Sequence, residues 1–242
     1  MDAIRIENLT KRYKGVTAVD ALTLQIRQGE LLALLGINGA GKTTTIKMLS
    51  CLTQPDAGDA WLLGHSIRTA GAEVKKLIAV SPQETAVAPG LSVKENLELM
   101  WGVHGFSREK RAARITELAA MLGLDTVMGR KAGKLSGGWQ RRLSIAMALI
   151  SQPQILFLDE PTLGLDVLAR AELWELIRTL KGKITIILTT HYMEEAEALS
   201  DRVAIMANGR LLQCNTVEQI KTDTGAATLE EAFIAAVRRA GV

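Results

Sequence analysis

Continuous apolar runs alternate with helical patterns over much of the chain. The runs cover residues 31–35, 155–158 and 184–188, and the last two precede helical patterns at 167–180 and 193–199. Strands that are apolar at nearly every position are typical of a parallel sheet whose two faces are both covered by helices. The pattern therefore predicts an α/β fold with a mostly parallel sheet.

A second pattern, with apolar residues near alternate positions, occurs close to the N-terminus. The residues are Ile4, Ile6 and Leu9 in one segment and Leu22, Leu24 and Ile26 in the next. Alternation of this kind predicts half-exposed strands, which we expect to form a small antiparallel sheet. Residues 60–63 predict a further edge strand, and Asn208-Gly209 between two apolar runs predicts a β-hairpin.

The middle of the chain, residues 84–152, differs in its hydrophobic pattern and carries helical periodicity. Ser92 and Glu95 form a capping-box pattern at the start of one helix. A second helix is predicted to begin at Ser107 and to end at Gly123. We expect this section to be entirely helical.

Length and composition fit one large domain. The chain has 242 residues, of which 48% are hydrophobic, and this is enough to bury a core. We expect residues 1–83 and 153–242 to form that core, including the antiparallel β part, with the helical subdomain 84–152 inserted between them.

The charge and the apolar runs argue against several classes of protein. A net charge of +3 without a block of Lys or Arg argues against nucleic-acid binding. No apolar run approaches the ~18 residues needed to cross a bilayer, and the N-terminus lacks a signal-peptide pattern. Cys51 and Cys214 have neither metal-site nor redox neighbours, which is typical of reduced thiols in the cytosol. If the protein works at a membrane, we expect another protein to anchor it.

A glycine-rich segment follows the first apolar run at residues 36–43 and leads into a helical pattern. It matches G-x-x-x-x-G-K-[ST], a loop that holds phosphates between a strand and a helix. Glycines let the backbone approach an anion closely, and the loop amides and the helix N-terminus point toward it. Lys42 would reach the β- and γ-phosphates, and the Thr43 hydroxyl would hold Mg²⁺. The loop therefore predicts a nucleoside triphosphate site. Its expected contacts are Asn38, Gly39, Ala40, Gly41, Lys42, Thr43 and Thr44.

Two adjacent acids, Asp159 and Glu160, end the apolar run at residues 155–158. Ligands of an open α/β sheet bind at the carboxyl ends of its strands, so both side chains are expected at that edge. Asp159 can hold Mg²⁺, and Glu160 can act as general base toward an attacking water. The pair therefore predicts hydrolysis of the bound nucleotide.

Residues 135–138, Leu-Ser-Gly-Gly, predict a second anion-binding helix N-terminus. One chain has little need for two such sites around one triphosphate. Two copies arranged head to tail do need both, because the phosphate loop of one copy and this turn of the other would close on the same nucleotide.

In this order and spacing, the phosphate loop, the Leu-Ser-Gly-Gly signature and the Asp-Glu pair resemble the nucleotide-binding subunit of an ABC (ATP-binding cassette) transporter. The resemblance covers nearly the whole chain, and the signature separates ABC ATPases from other P-loop proteins. It implies an α/β P-loop NTPase fold of ABC type, with a mostly parallel sheet core, an N-terminal antiparallel β subdomain and an inserted helical subdomain that carries the signature. It also implies that the chain binds ATP and Mg²⁺ and hydrolyses ATP to drive transmembrane transport.

Further residues match positions that have roles in this family. Tyr13 matches an aromatic that stacks on adenine, and Gln83 matches a glutamine that approaches Mg²⁺ and the attacking water and senses the membrane partner. Asp166 lies in a segment that crosses the dimer axis in the family, and His191 matches a switch histidine that contacts the γ-phosphate. The expected catalytic residues are thus Glu160, His191 and Gln83, and the expected metal ligands are Thr43, Gln83 and Asp159.

The signature implies contacts with a nucleotide that is bound mainly by a second copy. Ser136 and Gly138 would contact its γ-phosphate, and Gly137 lies between them in the same turn. Trp139 departs from the family, which usually has Gln or another polar or flexible residue at this position. Since Ser136, Gly137 and Gly138 are intact, we expect the phosphate contacts to survive and Trp139 to pack within the helical subdomain.

Two stretches, residues 89–97 and 228–233, resemble the group that exports drugs, antibiotics or sodium. The phosphate loop resembles both this group and branched-chain amino-acid importers. We therefore favour an exporter, with such an importer or a non-transport ABC ATPase as alternatives. The resemblance implies integral membrane permease subunits and a second ATPase subunit, identical or different, as partners. It also implies a peripheral position on the cytoplasmic face of the cell membrane, and no nucleic acid is expected.

Overall fold

The computed structural model of the protein describes residues 1–241, in which ten strands and nine α-helices are found. The strands are β1 (Asp2–Tyr13), β2 (Val16–Arg27), β3 (Leu31–Leu35), β4 (Ala57–Leu62), β5 (His65–Ser66), β6 (Ile78–Ser81), β7 (Ile155–Asp159), β8 (Thr185–Thr190), β9 (Arg202–Ala207) and β10 (Arg210–Asn215). The helices are α1 (Lys42–Leu49), α2 (Gly71–Leu77), α3 (Val93–Val103), α4 (Arg108–Leu122), α5 (Gly137–Leu149), α6 (Val167–Leu180), α7 (Met193–Leu199), α8 (Val217–Thr224) and α9 (Leu229–Arg239). Of the helices in this described part, none has the length and apolar character that a membrane span requires.

Six strands form the larger sheet, in the order β10-β9-β3-β8-β7-β6. All neighbours are parallel except β9 and β10, which form an antiparallel hairpin at Asn208-Gly209. Every residue of β3, β7 and β8 is buried, as expected for strands that are covered on both faces. The predictions of the parallel sheet and the hairpin are confirmed. Because β3, β8 and β7 are parallel neighbours, their carboxyl ends meet at one edge.

Four strands form the smaller, antiparallel sheet in the order β2-β1-β4-β5. The strand predicted at residues 60–63 is present as β4, but its predicted position at the edge of the sheet was wrong. Residues 65–66 turn back to pair with Trp61 and Leu62, so β4 lies inside the sheet and β5 is its edge. Leu63 has a left-handed backbone (φ 48°) and begins the turn between the two strands.

The helices α3, α4 and α5 pack around one apolar cluster that continues into β7, β8 and α6. Ser92 and Glu95 form the predicted capping box at the start of α3. Gly123 ends α4 in the left-handed conformation, with φ 65°. The helices of residues 84–152 therefore rest directly against the sheet, and their separation as a subdomain stays a prediction.

Candidate functional site

The loop between β3 and α1 is shaped by glycines. A Cβ on Gly36 would lie 2.5 Å from the carbonyl oxygen of Met206, and one on Gly41 would lie 2.5 Å from that of Ala18. Gly41 also has φ 99°, which side chains rarely tolerate. The backbone at Met206 and Ala18 therefore packs directly against the loop, and only glycine fits at these two positions.

The first turn of α1 offers amides to an anion. Its N-cap, Gly41, has no side chain that could accept a capping hydrogen bond from the first-turn amides. The amides of Lys42, Thr43 and Thr44 belong to the first turn, whose N–H groups have no acceptor inside a helix. They line a cavity of about 520 Å³, a size typical of small-molecule sites. The loop therefore fits a bound phosphate group.

Most of the predicted site residues line this one cavity. They are Asn38, Gly39, Ala40, Gly41, Lys42, Thr43, Thr44, Gln83, Glu160 and His191, and Ala18 and Leu163 complete the wall. The cavity lies at the edge where the carboxyl ends of the parallel strands meet, as expected for an open α/β sheet.

Lys42 is the buried positive charge of the cavity. Its Nζ donates to the carbonyl oxygens of Gly36 (2.7 Å) and Ile37 (3.3 Å) and lies 3.3 Å from Oε1 of Glu160. A buried ammonium needs such partners because its desolvation is costly. These contacts hold the ammonium at the mouth of the loop.

Glu160 lies between the side chains of Lys42 and His191. Its Oε1 faces Lys42, and its Oε2 lies 3.2 Å from Nδ1 of His191. Its backbone is left-handed (φ 46°), and its amide donates to both the carbonyl oxygen (3.1 Å) and Oγ1 (3.0 Å) of Thr189. A non-glycine residue in this conformation typically costs about 1–3 kcal/mol and is often found at functional sites. The strained backbone aims the carboxylate into the cavity.

Asp159 gathers two hydroxyls. Its Oδ1 accepts from Oγ1 of Thr189 at 2.5 Å and from Oγ1 of Thr43 at 3.2 Å. The described chain has no group of three or more His, Cys, Asp or Glu side chains that could enclose a metal ion. Mg²⁺ in nucleotide sites usually has one or two protein oxygens and completes its shell with phosphates and water. The hydroxyl of Thr43 beside the carboxylate of Asp159 fits that mode.

Gln83 is exposed at the cavity wall and follows β6. Arg141 of α5 holds its backbone, donating to the carbonyl oxygens of Pro82 (2.6 Å) and Gln83 (2.5 Å). Burial lowers the pKa of Arg141, and the charges of Asp159 and Glu195 oppose that shift. Sequence reasoning did not identify Arg141, because it stands between Gln140 and Arg142 and nothing in the local pattern marks it as the buried one.

Six predicted residues do not line the cavity. Asp159 lies directly behind its wall, against Thr43, and the other five are Tyr13, Ser136, Gly137, Gly138 and Asp166. Tyr13 is 44% exposed at the end of β1, with the ammonium of Lys11 5.4 Å from its ring centre. Ser136 is the exposed N-cap of α5, and Asp166 caps α6 by accepting from the amide of Ala169 at 2.9 Å. One chain alone therefore does not bring the signature to its own phosphate loop.

The signature turn packs against the start of α6. A Cβ on Gly138 would lie 3.0 Å from the Cβ of Ala169. Beside this contact, Val167 and Leu168 are 70% and 76% exposed. Trp139 is half-buried against the cluster of α3 to α5, with the guanidinium of Arg142 5.1 Å from its ring centre.

A family model described as ABC transporter matches residues 19–163. The chain belongs to the ABC transporter family. This ABC protein is 40% identical over 228 residues to the daunorubicin/doxorubicin resistance ATP-binding protein DrrA of Streptomyces peucetius. The aligned residues make up 94% of this chain and 69% of DrrA. It is 42% identical over 209 residues to the Nod factor export ATP-binding protein I of Burkholderia orbicola. The aligned residues make up 86% of this chain and 68% of that relative.

A solved structure supports the fold of this ABC protein directly. It is a dimeric ATP-binding cassette in a post-hydrolysis state, bound to ADP and Pi. It superposes with a TM-score of 0.78 at 27% identity, over 88% of this chain and 98% of that one. The predicted ABC-type P-loop fold is confirmed.

Proposed function

We propose that this chain is the ATPase subunit that drives export through a membrane permease. The observation that carries the proposal is the single cavity in which Lys42, Glu160 and His191 meet beside the phosphate loop. Export is supported by the two relatives, whose names describe drug resistance and Nod factor export. A branched-chain amino-acid importer and a non-transport ABC ATPase are the less supported alternatives.

Binding of ATP would use charges that are already in place. The amides at the start of α1 would receive the phosphates, and Lys42 would turn from Glu160 toward the β- and γ-phosphate oxygens. Tyr13 would stack on adenine. Mg²⁺, held by Thr43 and Asp159 with Gln83 nearby, would neutralise phosphate charge when bound.

Hydrolysis would follow in-line attack by one water. Glu160 takes a proton from that water as its oxygen bonds to the γ-phosphorus, and the bond to the β–γ bridging oxygen breaks. ADP and phosphate are the products. His191, 3.2 Å from Glu160, would stabilise the charge on the transferred group.

A second copy would complete each site. The exposed Ser136, with Gly137 and Gly138, would close on the γ-phosphate held by the partner, and Asp166 would lie at the shared face. Loss of the γ-phosphate removes those contacts, so the pair opens. Permease subunits would convert this cycle into substrate movement and hold the chain at the cytoplasmic face of the membrane.

The shared site can be tested by mixing two inactive variants, Lys42→Ala and Ser136→Glu. A head-to-tail pair of these variants has one site with both changes and one site with neither, so ATP hydrolysis should recover on mixing. A matched control mixes Lys42→Ala with Glu160→Gln, which leaves one change in each site and should stay inactive. Failure of the first mixture to recover at every ratio would contradict the shared site.

The permease partner can be tested by purifying the chain from detergent-solubilised membranes. We expect a polytopic membrane protein to co-purify with it and to raise its ATPase rate, because association increases the local concentration of paired copies. A purely soluble partner would instead favour a non-transport ABC ATPase.

A further inference from the structure

Glu195 is a fully buried carboxyl that hydrolysis does not use directly. It lies in the first turn of α7, four residues after His191, and its side chain is 0% exposed. Burial raises the pKa of Glu195, and neighbouring hydroxyls, the indole of Trp174 and the charge of Arg170 offset only part of that effect. A buried acid beside a catalytic segment calls for a physical role.

The carboxyl of Glu195 contacts three separate parts of the chain. Its Oε1 accepts from Nε1 of Trp174 in α6 at 3.2 Å. The hydroxyls of Thr190 and Thr162 also approach it. Thr190 directly precedes His191, and Thr162 directly precedes residues 163–166, which end at the N-cap of α6.

Both threonines also shape their own segments. Oγ1 of Thr190 accepts from the amide of Tyr192 at 2.9 Å, which fixes the backbone around His191. The carbonyl oxygen of Thr162 accepts from the amide of Leu165 at 3.1 Å, which closes the turn before Asp166. Glu195 therefore lies between the segment that faces the cavity and the segment that leads to the exposed face.

Two buried oxygen atoms in the described part of the chain, one on Glu195 and one on Thr162, lack hydrogen-bond partners. Among the described residues, neither Oε2 of Glu195 nor Oγ1 of Thr162 has a well-aligned hydrogen bond. A charged carboxylate with a buried, unpaired oxygen is costly. A single O–H between them, from the Thr162 hydroxyl or from the carboxyl, would satisfy both atoms at once.

We propose that Glu195 is a positioning residue, whose carboxyl shares a hydrogen bond with the hydroxyl of Thr162 and so holds residues 163–166 in register with His191. The proposal rests on the proposed function, because His191 would contact the γ-phosphate and residues 163–166 would face the partner copy. Glu195 thereby couples the contact of His191 with the phosphate to the position of residues 163–166. Glu195 is fully buried and is not among the residues that line the cavity.

The test uses the variants Glu195→Gln, Glu195→Leu and Thr162→Val in the full chain. The amide of Gln retains one donor and one acceptor, so Glu195→Gln should keep kcat and the KM for ATP within about twofold. Glu195→Leu and Thr162→Val each lose the hydrogen bond and should lower kcat about tenfold with KM within about twofold, a factor in the range of one buried hydrogen bond. Glu194→Gln, a change at the exposed neighbouring acid, is the matched control and should behave as the wild type.

Amide hydrogen exchange supplies a readout that does not depend on activity. Exchange at residues 163–166 and 190–192 should quicken in Glu195→Leu and Thr162→Val, and stay at the wild-type rate in Glu195→Gln. Impairment of Glu195→Gln equal to that of Glu195→Leu would overturn the hydrogen bond to Thr162 as the basis of the effect. Unchanged exchange and kcat in Thr162→Val, or parallel losses of kcat, ATP affinity and Tm, would overturn the positioning role. A wild type without ATPase activity would refute the proposed function, and the exchange pattern would still decide the role of Glu195.

Discussion

Replacing Glu160 with Gln removes one charge and keeps the shape of the side chain. The left-handed backbone at Glu160 is held by two hydrogen bonds to Thr189, neither of which involves the carboxylate. Lys42 keeps its bonds to the carbonyl oxygens of Gly36 and Ile37. We therefore expect the fold and the phosphate loop to survive the substitution.

The expected loss is that of a general base. Such a group is typically worth about 10²–10⁴ in rate. At 1.36 kcal/mol per factor of ten, this is about 2.7–5.4 kcal/mol of transition-state stabilisation. Since Lys42 loses an anionic neighbour that would compete with phosphate, ATP affinity should be at least as high as in the wild type.

Two measurements decide the matter: steady-state ATP hydrolysis and equilibrium binding of ATP. We expect kcat of Glu160→Gln to fall by the factor above while ATP stays bound and pairs of copies accumulate. Glu7→Gln, which changes a half-exposed acid on β1, is the control and should leave both measurements unchanged. Turnover near the wild-type rate would refute the role of Glu160 as base, and lost binding would mean that the substitution disturbs the loop.

Three further predictions concern other residues. Lys42→Ala should weaken ATP binding about 10- to 100-fold, because a hydrogen bond to a charged group is worth about 1.5–3 kcal/mol, and tight binding by this variant in a titration would count against the phosphate contact. Tyr13→Ala should weaken ATP binding with little change in kcat, since base stacking on an aromatic is worth about 1–3 kcal/mol, and unchanged affinity would make Tyr13 purely structural. Because the pKa of Glu195 is raised in the folded state, the folded protein keeps a proton that the unfolded chain releases above a pH of about 4.3. The free energy of unfolding therefore falls as the pH rises from there toward the folded pKa. Glu195→Gln should lack this fall in the free energy of unfolding measured by denaturant titration across that range, and parallel pH profiles would contradict it.

Much of the cavity could be predicted because its chemistry is local in sequence. The phosphate loop, the pair Asp159 and Glu160, and the capping box of α3 each depend on residues a few positions apart. By contrast, the hydrogen bond from Arg141 to Gln83 joins residues 58 positions apart, and such pairings are decided by packing. The helices α2 and α8 were missed for a related reason, since they bury only one and two residues and so leave almost no periodic signal.

The distance between the signature and the phosphate loop is a different kind of limit. Ser136 was predicted to serve another copy, and the structure places it away from the cavity of its own chain. Neither pattern nor packing within one chain contains the relative placement of two copies. The shared site is for that reason a proposal that the mixing experiment must decide.

Val167 and Leu168, more than two-thirds exposed at the start of α6, bear on how a cell must produce this protein. Uncovered apolar side chains invite aggregation and are surveyed by chaperones and proteases. A copy synthesised in excess of its counterparts is therefore expected to be short-lived. In the proposed pair of copies, balanced synthesis of the subunits would keep these two residues covered.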